Sequence, residues 1–165
     1  MNNIITKTSV IGNPIQHSLS PIIHNYWIEQ NKINTDKYKK IKIEASNLHQ
    51  EVKELMENGF TGLNVTIPFK EMVYDLCDEV SDTAKILKAI NTITYKDKKI
   101  IGYNTDPDGF INSISSQIRD DNITGKNTLV IGAGGSARSI IYALNKMESN
   151  ITVTNRTVEK VEIIS

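Results

Sequence analysis

A lysine in this sequence follows a strand end, the position where α/β proteins commonly place their chemistry. The stretch Asn64-Val65-Thr66-Ile67 has the composition of a half-buried strand, and Pro68 ends it because proline has no N–H for the strand ladder. Lys70 comes directly afterwards. An ammonium group placed there can stabilise negative charge that develops on a reacting oxygen and can also supply a proton.

The second stretch with chemical potential is the glycine-rich turn Gly132-Ala133-Gly134-Gly135-Ser136-Ala137. It matches the pattern G-x-G-x-x-G/A, with the strand TLVI before it and a helix expected from Gly135. Glycines permit a tight turn and close approach of a pyrophosphate, and the helix N-terminus supplies free N–H groups. The small side chain of Ala137 lets the helix lie against the strand. The turn therefore predicts a dinucleotide site.

The strand after that helix, ITVT, ends in Asn155-Arg156-Thr157. A site for NAD usually has an acidic residue here to hold the ribose hydroxyls. This chain has no acid at the strand end, and Arg156 suits a 2′-phosphate instead. The pattern predicts NADP rather than NAD.

Alternating strands and helices are expected to position these residues. The predicted strands are KTSVIG, DKYKKIKIE and FTGLNVTIP, followed by a hairpin in INTITYKDKKIIGYNTD, and the predicted helices are SPIIHNYWIEQNKI, SNLHQEVKELMENG, EMVYDLCDEV, SDTAKILKA and DGFINSISSQI. In the first helix Ser20 is the expected N-cap and Ile22, Ile23, Tyr26 and Trp27 the buried face. In the second, Ser46 or Asn47 is the expected cap and Gly59 the C-terminal stop.

The fold class that follows is α/β, in two parts. We expect an N-terminal open α/β substrate-binding domain over residues 1–104, a bridging helix and linker over 105–123, and the start (β-α-β) of a Rossmann NADP-binding domain over 124–165.

Composition limits the classes of partner. The chain has 165 residues with 19 basic and 19 acidic side chains, so its charge predicts no binding to nucleic acid or to an anionic membrane. The single cysteine, Cys77, suits a reducing cytoplasm and is expected to be a buried core thiol. We see no signal peptide and no apolar run long enough to span a bilayer. His17 and His24 have no metal-ligand company, so no metal is expected.

Four motifs taken together resemble one family. They are HSLSP at residues 17–21, NVTIPFK at 64–70, AINTI at 89–93 and GYNTD at 102–106, and GAGGSARS and NRT follow in the same order. The combination is similar to the shikimate dehydrogenases. The resemblance implies reversible reduction of 3-dehydroshikimate to shikimate by NADPH, a step of aromatic amino acid biosynthesis.

The resemblance also implies roles for individual residues. Lys70 and Asp106 correspond to the catalytic pair. Ser18 and Ser20 correspond to ligands of the substrate carboxylate, and Thr66 and Asn91, with Lys70 and Asp106, to groups that hold the ring hydroxyls. Whether Lys70 itself protonates the reduced oxygen, or only orients it while water or Asp106 moves the proton, stays open at this stage.

Two departures from the family pattern bear on these expectations. Pro107-Asp108-Gly109 stands where the family usually continues with Gly-x-Gly, although proline and aspartate both suit the first turn of a helix. A full member would also carry roughly another hundred residues. The alternatives are therefore a module that binds shikimate without turnover, or a relative that acts on quinate. The uncovered residues Leu129, Ile131, Ile151 and Val153 favour a homo-oligomer, or poor order beyond about residue 125.

Overall fold

The computed structural model describes residues 6–115, 123–157 and 159–162, and the chain divides into two compact units at the Asn104–Thr105 bond. The elements of the first unit are β1 (Lys7–Gly12), α1 (Ser20–Gln30), β2 (Lys39–Lys42), α2 (Leu48–Glu57), β3 (Phe60–Val65), β4 (Glu79–Val80), α3 (Asp82–Leu87), β5 (Thr92–Lys96) and β6 (Lys99–Tyr103). Those of the second are α4 (Asp106–Ser115), β7 (Asn127–Ile131), α5 (Gly135–Lys146), β8 (Asn150–Thr154) and α6 (Glu159–Glu162). The alternation of strands and helices confirms the predicted α/β class.

The first unit is built on a six-stranded sheet with the order β2-β1-β3-β5-β6-β4. The strands β2, β1 and β3 are parallel, whereas β5 runs antiparallel to both β3 and β6. The carboxyl ends of β1, β3 and β6 therefore lie at the same edge of the sheet as the amino end of β5. This edge is the place where loops from different parts of the sequence meet.

Each face of this sheet has its own apolar cluster. Successive strand residues point to opposite faces, and Val10 and Ile11 of β1 accordingly belong to different clusters. The larger cluster joins Ile11 to the helix α2 and to Phe69 and Val73 after β3. The smaller one contains Val10, Ile15 and Tyr38, with Ile28 of α1 packed against them. Helices on both sides thus hold the sheet and its loops in place.

The prediction for α1 was wrong in two respects. Leu19, not Ser20, is the N-cap, because the backbone N–H groups of Ile22 and Ile23 both donate to the Leu19 carbonyl oxygen. The helix also has no buried residue, and the expected buried face is exposed: Trp27 is 52% and Ile22 71% exposed. Ile23 and Tyr26 are exposed with them. The helix contacts the sheet through Ile28 instead.

The stretch EMVYDLCDEV is not the predicted α-helix. It forms turns, a 3-10 helix over Tyr74–Leu76 and the short strand β4. Pairing with β6 overrides the helical spacing of its apolar residues: the Asp78 N–H donates to the Ile100 carbonyl at 2.8 Å, and the Ile100 N–H donates to the Asp78 carboxylate at 2.8 Å. Cys77 is accordingly only half-buried, although it does pack against the core as expected.

The ends of α2 agree only partly with the prediction. Asn47 occupies the N-cap position, but neither it nor Ser46 caps the helix with its side chain, because the Ser46 hydroxyl donates to the Asn47 side chain. At the other end Gly59 follows the C-cap with a φ of +88°, as a helix-terminating glycine does. Ser81 does cap α3, accepting from the Ala84 N–H.

The second unit contains a two-stranded parallel sheet of β7 and β8. One face packs on α4 and α5 through a cluster that includes Val130, Ala137 and Leu144. On the opposite face Leu129 is 58% and Ile131 81% exposed. Ile151 and Val153 are half-buried against the cluster, so the expectation of uncovered apolar residues holds for β7 and is wrong for β8. No helix in the described parts of the chain is both long and apolar enough to cross a bilayer.

Candidate functional site

The shared edge of the first sheet gathers three loops. The loop after β1 approaches the loop after β3, because the Asn13 N–H donates to the Ile67 carbonyl at 3.1 Å and the Thr66 N–H to the Ile11 carbonyl at 3.0 Å. The approach depends on Gly12: a Cβ on it would lie 2.6 Å from the Thr66 methyl group and 2.9 Å from Ile15. Gly12 is thus the residue that lets the two loops touch.

The segment before β5 joins the same edge. The Val65 N–H donates to the Asn91 carbonyl at 2.8 Å, and the Ile90 N–H donates to the Lys70 carbonyl at 2.7 Å. The Asn91 N–H in turn donates to the Tyr103 carbonyl at 3.0 Å. These backbone bonds hold Thr66, Lys70 and Asn91 within one region, and all three side chains are half-buried.

Ser18 and Ser20 form a hydroxyl pair at the start of α1. The Ser18 hydroxyl donates to the Ser20 hydroxyl at 3.2 Å, and the Ser20 N–H donates to the Ser18 hydroxyl oxygen at 3.3 Å. Both residues are half-buried and lie in the loop that leaves β1. Two adjacent hydroxyls suit an anionic oxygen, such as that of a carboxylate.

The remaining residue of the predicted catalytic pair belongs to the second unit. Asp106 is the first residue of α4, and Pro107 follows it in the first turn, fully buried. The Gly109 N–H donates to the Thr105 carbonyl at 3.0 Å, so the helix starts normally through the Pro-Asp-Gly departure. The departure is therefore compatible with helix formation, as expected.

The glycine turn of the second unit has the geometry that a dinucleotide site needs. Gly132 has a φ of +118°, which favours glycine, and no atom lies within 4 Å of where its Cβ would be. Gly134 is the N-cap of the 12-residue helix α5, with open space around it as well. Ala137 is buried against the strand. The start of α5 thus lies beside space that side chains leave open.

The end of β8 lies beside this turn. The Gly132 N–H donates to the Thr154 carbonyl at 2.8 Å, which places Asn155-Arg156-Thr157 next to Gly132. The Asn155 side chain donates to the Thr157 carbonyl at 2.8 Å and so fixes the loop. Arg156 is exposed. The residues present thus fit a dinucleotide whose adenosine ribose carries a 2′-phosphate.

Three polar residues around the first edge are functional candidates to which the sequence analysis gave no role, although two of them lie within its motifs. They are Tyr38, Asn64 and Thr92, which form hydrogen bonds with one another and with Asn91. Tyr38 lies 26 residues before Asn64, and Asn64 28 residues before Thr92. The antiparallel pairing of β3 with β5 places Asn64 opposite Thr92, and no local pattern in the sequence predicts this pairing.

A polar edge on a mixed sheet, in a chain that also has a glycine-turn β-α-β unit, defines an α/β protein of the dinucleotide-binding class. The comparisons with known proteins give the particular family. A family model described as the shikimate dehydrogenase substrate binding domain matches residues 10–93, and one described as shikimate / quinate 5-dehydrogenase matches residues 113–165. The chain belongs to the shikimate dehydrogenase family.

Individual relatives agree with this assignment. The chain is 44% identical over 149 residues to the shikimate dehydrogenase (NADP(+)) of Pelagibacter ubique, covering 90% of this chain and 55% of the relative. It is 39% identical over 160 residues to that of Carboxydothermus hydrogenoformans, covering 97% of this chain and 56% of the relative. The chain thus spans little more than half the length of these relatives.

Solved structures show the same likeness. The shikimate dehydrogenase of Aquifex aeolicus superposes with a TM-score of 0.92 at 39% identity, covering 99% of this chain and 60% of that one. The enzyme of Thermus thermophilus, solved in complex with NADP(H) and shikimate, gives a TM-score of 0.87 at 30% identity, covering 97% and 59%.

Proposed function

We propose that this chain carries the substrate-binding and the first cofactor-binding residues of an NADP-dependent shikimate dehydrogenase, which reduces 3-dehydroshikimate to shikimate reversibly. The observation that carries the proposal is the meeting of Thr66, Lys70 and Asn91 at one sheet edge through backbone bonds. Family membership and the names of the relatives support the choice of substrate and cofactor.

The polar edge suits a small carboxylate with several hydroxyl groups. We assign Ser18 and Ser20 to the carboxylate, because their paired hydroxyls stand at a helix start. We assign Thr66 and Asn91 to the ring hydroxyls. Both residues are half-buried, and hydrogen bonds of their own N–H groups fix their backbone. This order reduces the conformational entropy that is lost on binding.

Lys70 has the main chemical role in the proposal. NADPH, when bound, would supply a hydride to the carbonyl carbon, which would leave the electron pair of the broken C–O π bond on the carbonyl oxygen. The Lys70 ammonium stabilises that oxygen and gives it a proton, so that a hydroxyl results. Asp106 is assigned as the second catalytic residue, as its place in the family motif implies. In the reverse direction Lys70 accepts the hydroxyl proton as the hydride leaves.

The second unit would hold the cofactor through the glycine turn and the residues that follow β8. We assign the glycine turn, with Gly132, Ala133, Gly134, Gly135, Ser136 and Ala137, to the pyrophosphate. Asn155, Arg156 and Thr157 are assigned to the adenosine ribose and its 2′-phosphate. The open turn and the exposed guanidinium support this assignment.

Two broader features belong to the same proposal. The single cysteine supports a reducing compartment, and we propose the cytoplasm. The exposed apolar residues Leu129 and Ile131 support association into a homo-oligomer. Light scattering of the purified protein measures the second point directly.

The experiment that tests the function is NADPH oxidation in the presence of 3-dehydroshikimate, followed by the loss of NADPH absorbance. Controls omit the substrate, replace NADPH by NADH, or run the reaction backwards with shikimate and with quinate. Substrate-dependent oxidation supports the proposal. Shikimate binding in a calorimetric titration without oxidation supports a binding module, and the absence of both overturns the proposal.

A further inference from the structure

A chain of hydrogen bonds links Tyr38 of the smaller core cluster to Asn91 of the candidate site. The Tyr38 hydroxyl donates to Asn64 Oδ1 at 2.6 Å. Asn64 Nδ2 donates to Thr92 Oγ1 at 3.3 Å, and the Thr92 hydroxyl donates to Asn91 Oδ1 at 2.9 Å. Three hydrogen bonds, through the two side chains of Asn64 and Thr92, thus connect a buried tyrosine to a residue assigned to the substrate.

In this series of hydrogen bonds each residue donates to the next, from Tyr38 towards Asn91, and the direction is set by Tyr38, which is a donor. Its side chain is only 2% exposed, and burial raises the pKa of the phenol, which therefore keeps its proton at any physiological pH. The proton fixes Asn64 with its oxygen towards Tyr38 and its nitrogen towards Thr92. Thr92 accepts from that nitrogen and has its own proton left for Asn91.

The consequence falls on the side-chain amide of Asn91. The Asn91 amide oxygen accepts from the Thr92 hydroxyl, so the amide N–H donors lie on the side away from Thr92. Loss of that bond removes a restraint against the rotation that would place a carbonyl oxygen where the amide now offers donors. The backbone of Asn91 is fixed separately, by Val65 and Tyr103, so the hydrogen-bond chain sets orientation and not position.

Tyr38 is also attached to the helix that follows the serine pair. Asn25 of α1 donates to the Tyr38 carbonyl at 3.0 Å and accepts from the Tyr38 N–H at 2.9 Å. The ring of His24 stacks on the Tyr38 ring with centroids 4.2 Å apart and an angle of 5°. Tyr38 therefore joins α1, which starts at Ser20, to the strand that carries Asn64.

We propose that Tyr38 and Thr92 are positioning residues that orient the Asn91 amide and keep it in register with the Ser18–Ser20 pair. Neither needs to touch the substrate. The identity of the substrate rests on the proposed function above. The inference itself concerns the direction in which Asn91 presents its donors.

The decisive comparison uses three variants of strand β5. Thr92→Val keeps the shape but removes the hydroxyl, Thr92→Ser keeps the hydroxyl, and Thr94→Val makes the same change two residues further on the same face of the strand, outside the hydrogen-bond chain. We expect Thr92→Val to raise KM for 3-dehydroshikimate and the shikimate Kd about tenfold, while kcat changes less and KM for NADPH is unchanged. Thr92→Ser and Thr94→Val stay within twofold of the wild type.

Tyr38→Phe tests the far end of the chain. The ring stack on His24 is kept and only the donor is lost, so we expect a smaller rise in the same KM, on the order of threefold. The double variant Tyr38→Phe/Thr92→Val should be no worse than Thr92→Val alone, because both changes act through one path. Tyr38→Phe also decides the question if Thr92→Val fails to fold.

The inference is overturned if Thr92→Val leaves KM and shikimate affinity unchanged, or if Thr94→Val has the same effect. It is equally overturned if Tyr38→Phe and Thr92→Val add fully. A wild-type protein that binds no shikimate is a different result, because that outcome removes the proposed function itself. The two failures are therefore separated by the wild-type titration.

Discussion

The two units of the chain form their candidate sites with different parts of the polypeptide. In the first unit side chains make up the candidate site: Lys70, Asn91 and the serine pair stand at a sheet edge that backbone bonds hold together. In the second unit the backbone does so, through the positive φ of Gly132 and the open helix start at Gly134. The site of the first unit is therefore sensitive to the loss of a side-chain functional group. The glycine turn of the second unit is sensitive to the addition of a Cβ.

The units also differ in how completely they are covered. The sheet of the first unit has an apolar cluster on each face, whereas β7 exposes Leu129 and Ile131 on one face of the second sheet. Stability in the first unit therefore depends on a closed core, and in the second on the single cluster between the helices and β7 and β8. The following predictions test both differences.

The largest effect is expected from Lys70→Ala. Loss of the group that stabilises the developing negative oxygen should reduce kcat by about 100-fold or more while the circular dichroism spectrum is unchanged. Lys53→Ala, which removes an exposed lysine from α2, is the matched control and should retain full activity. Turnover of Lys70→Ala within threefold of the wild type would remove this lysine from the mechanism.

The closed core of the first unit predicts slow chemistry at Cys77. Burial, with a smaller contribution from the Asp78 carboxylate, raises the pKa of this thiol from 9.0 to about 11. At pH 8 the thiolate fraction is then smaller by on the order of 100-fold, and alkylation by iodoacetamide should be slower by that factor than in the denatured protein. Equal rates in the native and denatured protein would show that the core opens readily.

The same shift gives a pH dependence of stability. The folded state holds the Cys77 proton more strongly than the unfolded state does. The contribution of the protonated thiol to the free energy of unfolding is therefore complete below pH 9.0 and is lost as the pH rises towards 11. Cys77→Ala should therefore flatten the fall in stability over this range in denaturant titrations, relative to the wild type.

Arg156→Glu should change the choice of cofactor by about tenfold. A carboxylate at this place repels a 2′-phosphate and can accept from ribose hydroxyls, so KM for NADPH should rise while KM for NADH stays equal or falls. Lys126→Glu makes the same charge change just before the start of β7, away from the glycine turn, and should affect neither. Equal losses for both cofactors would show that Arg156 does not read the phosphate.

Gly132→Ala tests the dependence on backbone directly. A Cβ finds open space there, but a φ of +118° is strained for alanine, so we expect a loss of about 1–2 kcal/mol in stability and weaker NADPH binding. Gly109→Ala is the matched control, since it also has open space but lies within α4 without a positive φ. It should be neutral or stabilising.

The smallest effect should come from Ser139→Ala. Its hydroxyl is buried in α5 and has no hydrogen-bond partner among the described residues, so its removal should stabilise the protein by about 0.5–1 kcal/mol. Ser149→Ala provides the contrast, because that hydroxyl bonds to Thr128 and to the Lys126 carbonyl. Ser149→Ala should lower the free energy of unfolding. Changes of the same sign in the two variants would contradict this interpretation.

Local signals in the sequence predicted some elements well. The hairpin of β5 and β6 has Asp97 and Lys98 in its turn with φ of 52° and 63°, which agrees with the polar KDKK stretch. The glycine turn was predicted because it depends on a few adjacent residues. The structure brings the motif residues Thr66, Lys70 and Asn91 to one edge of the sheet, with Thr66 directly after β3 and Asn91 directly before β5, and their assignment to the substrate stays a prediction.

Features that depend on distant partners were missed. The apolar residues of α1 have the spacing of a buried face, yet the helix packs against the sheet through Ile28 instead. No local pattern in the sequence distinguishes the packed side of the helix from the exposed side. Asp78 pairs with Ile100, and this pairing cancels the helical preference of the residues around it. The bond from Tyr38 to Asn64 is of the same kind, because only the order of the strands brings the two together.

The outermost strands of the six-stranded sheet have a consequence for aggregation. On one edge β2 presents the exposed lysines Lys39, Lys40 and Lys42, and on the other β4 is two residues long and holds Glu79 in an ion pair with Lys99 at 2.6 Å. Charged or very short edges are poor templates for an incoming strand. The first unit is thus protected against the stacking of copies into cross-β fibrils, and we expect it to stay dispersed at concentrations where an uncharged edge would polymerise.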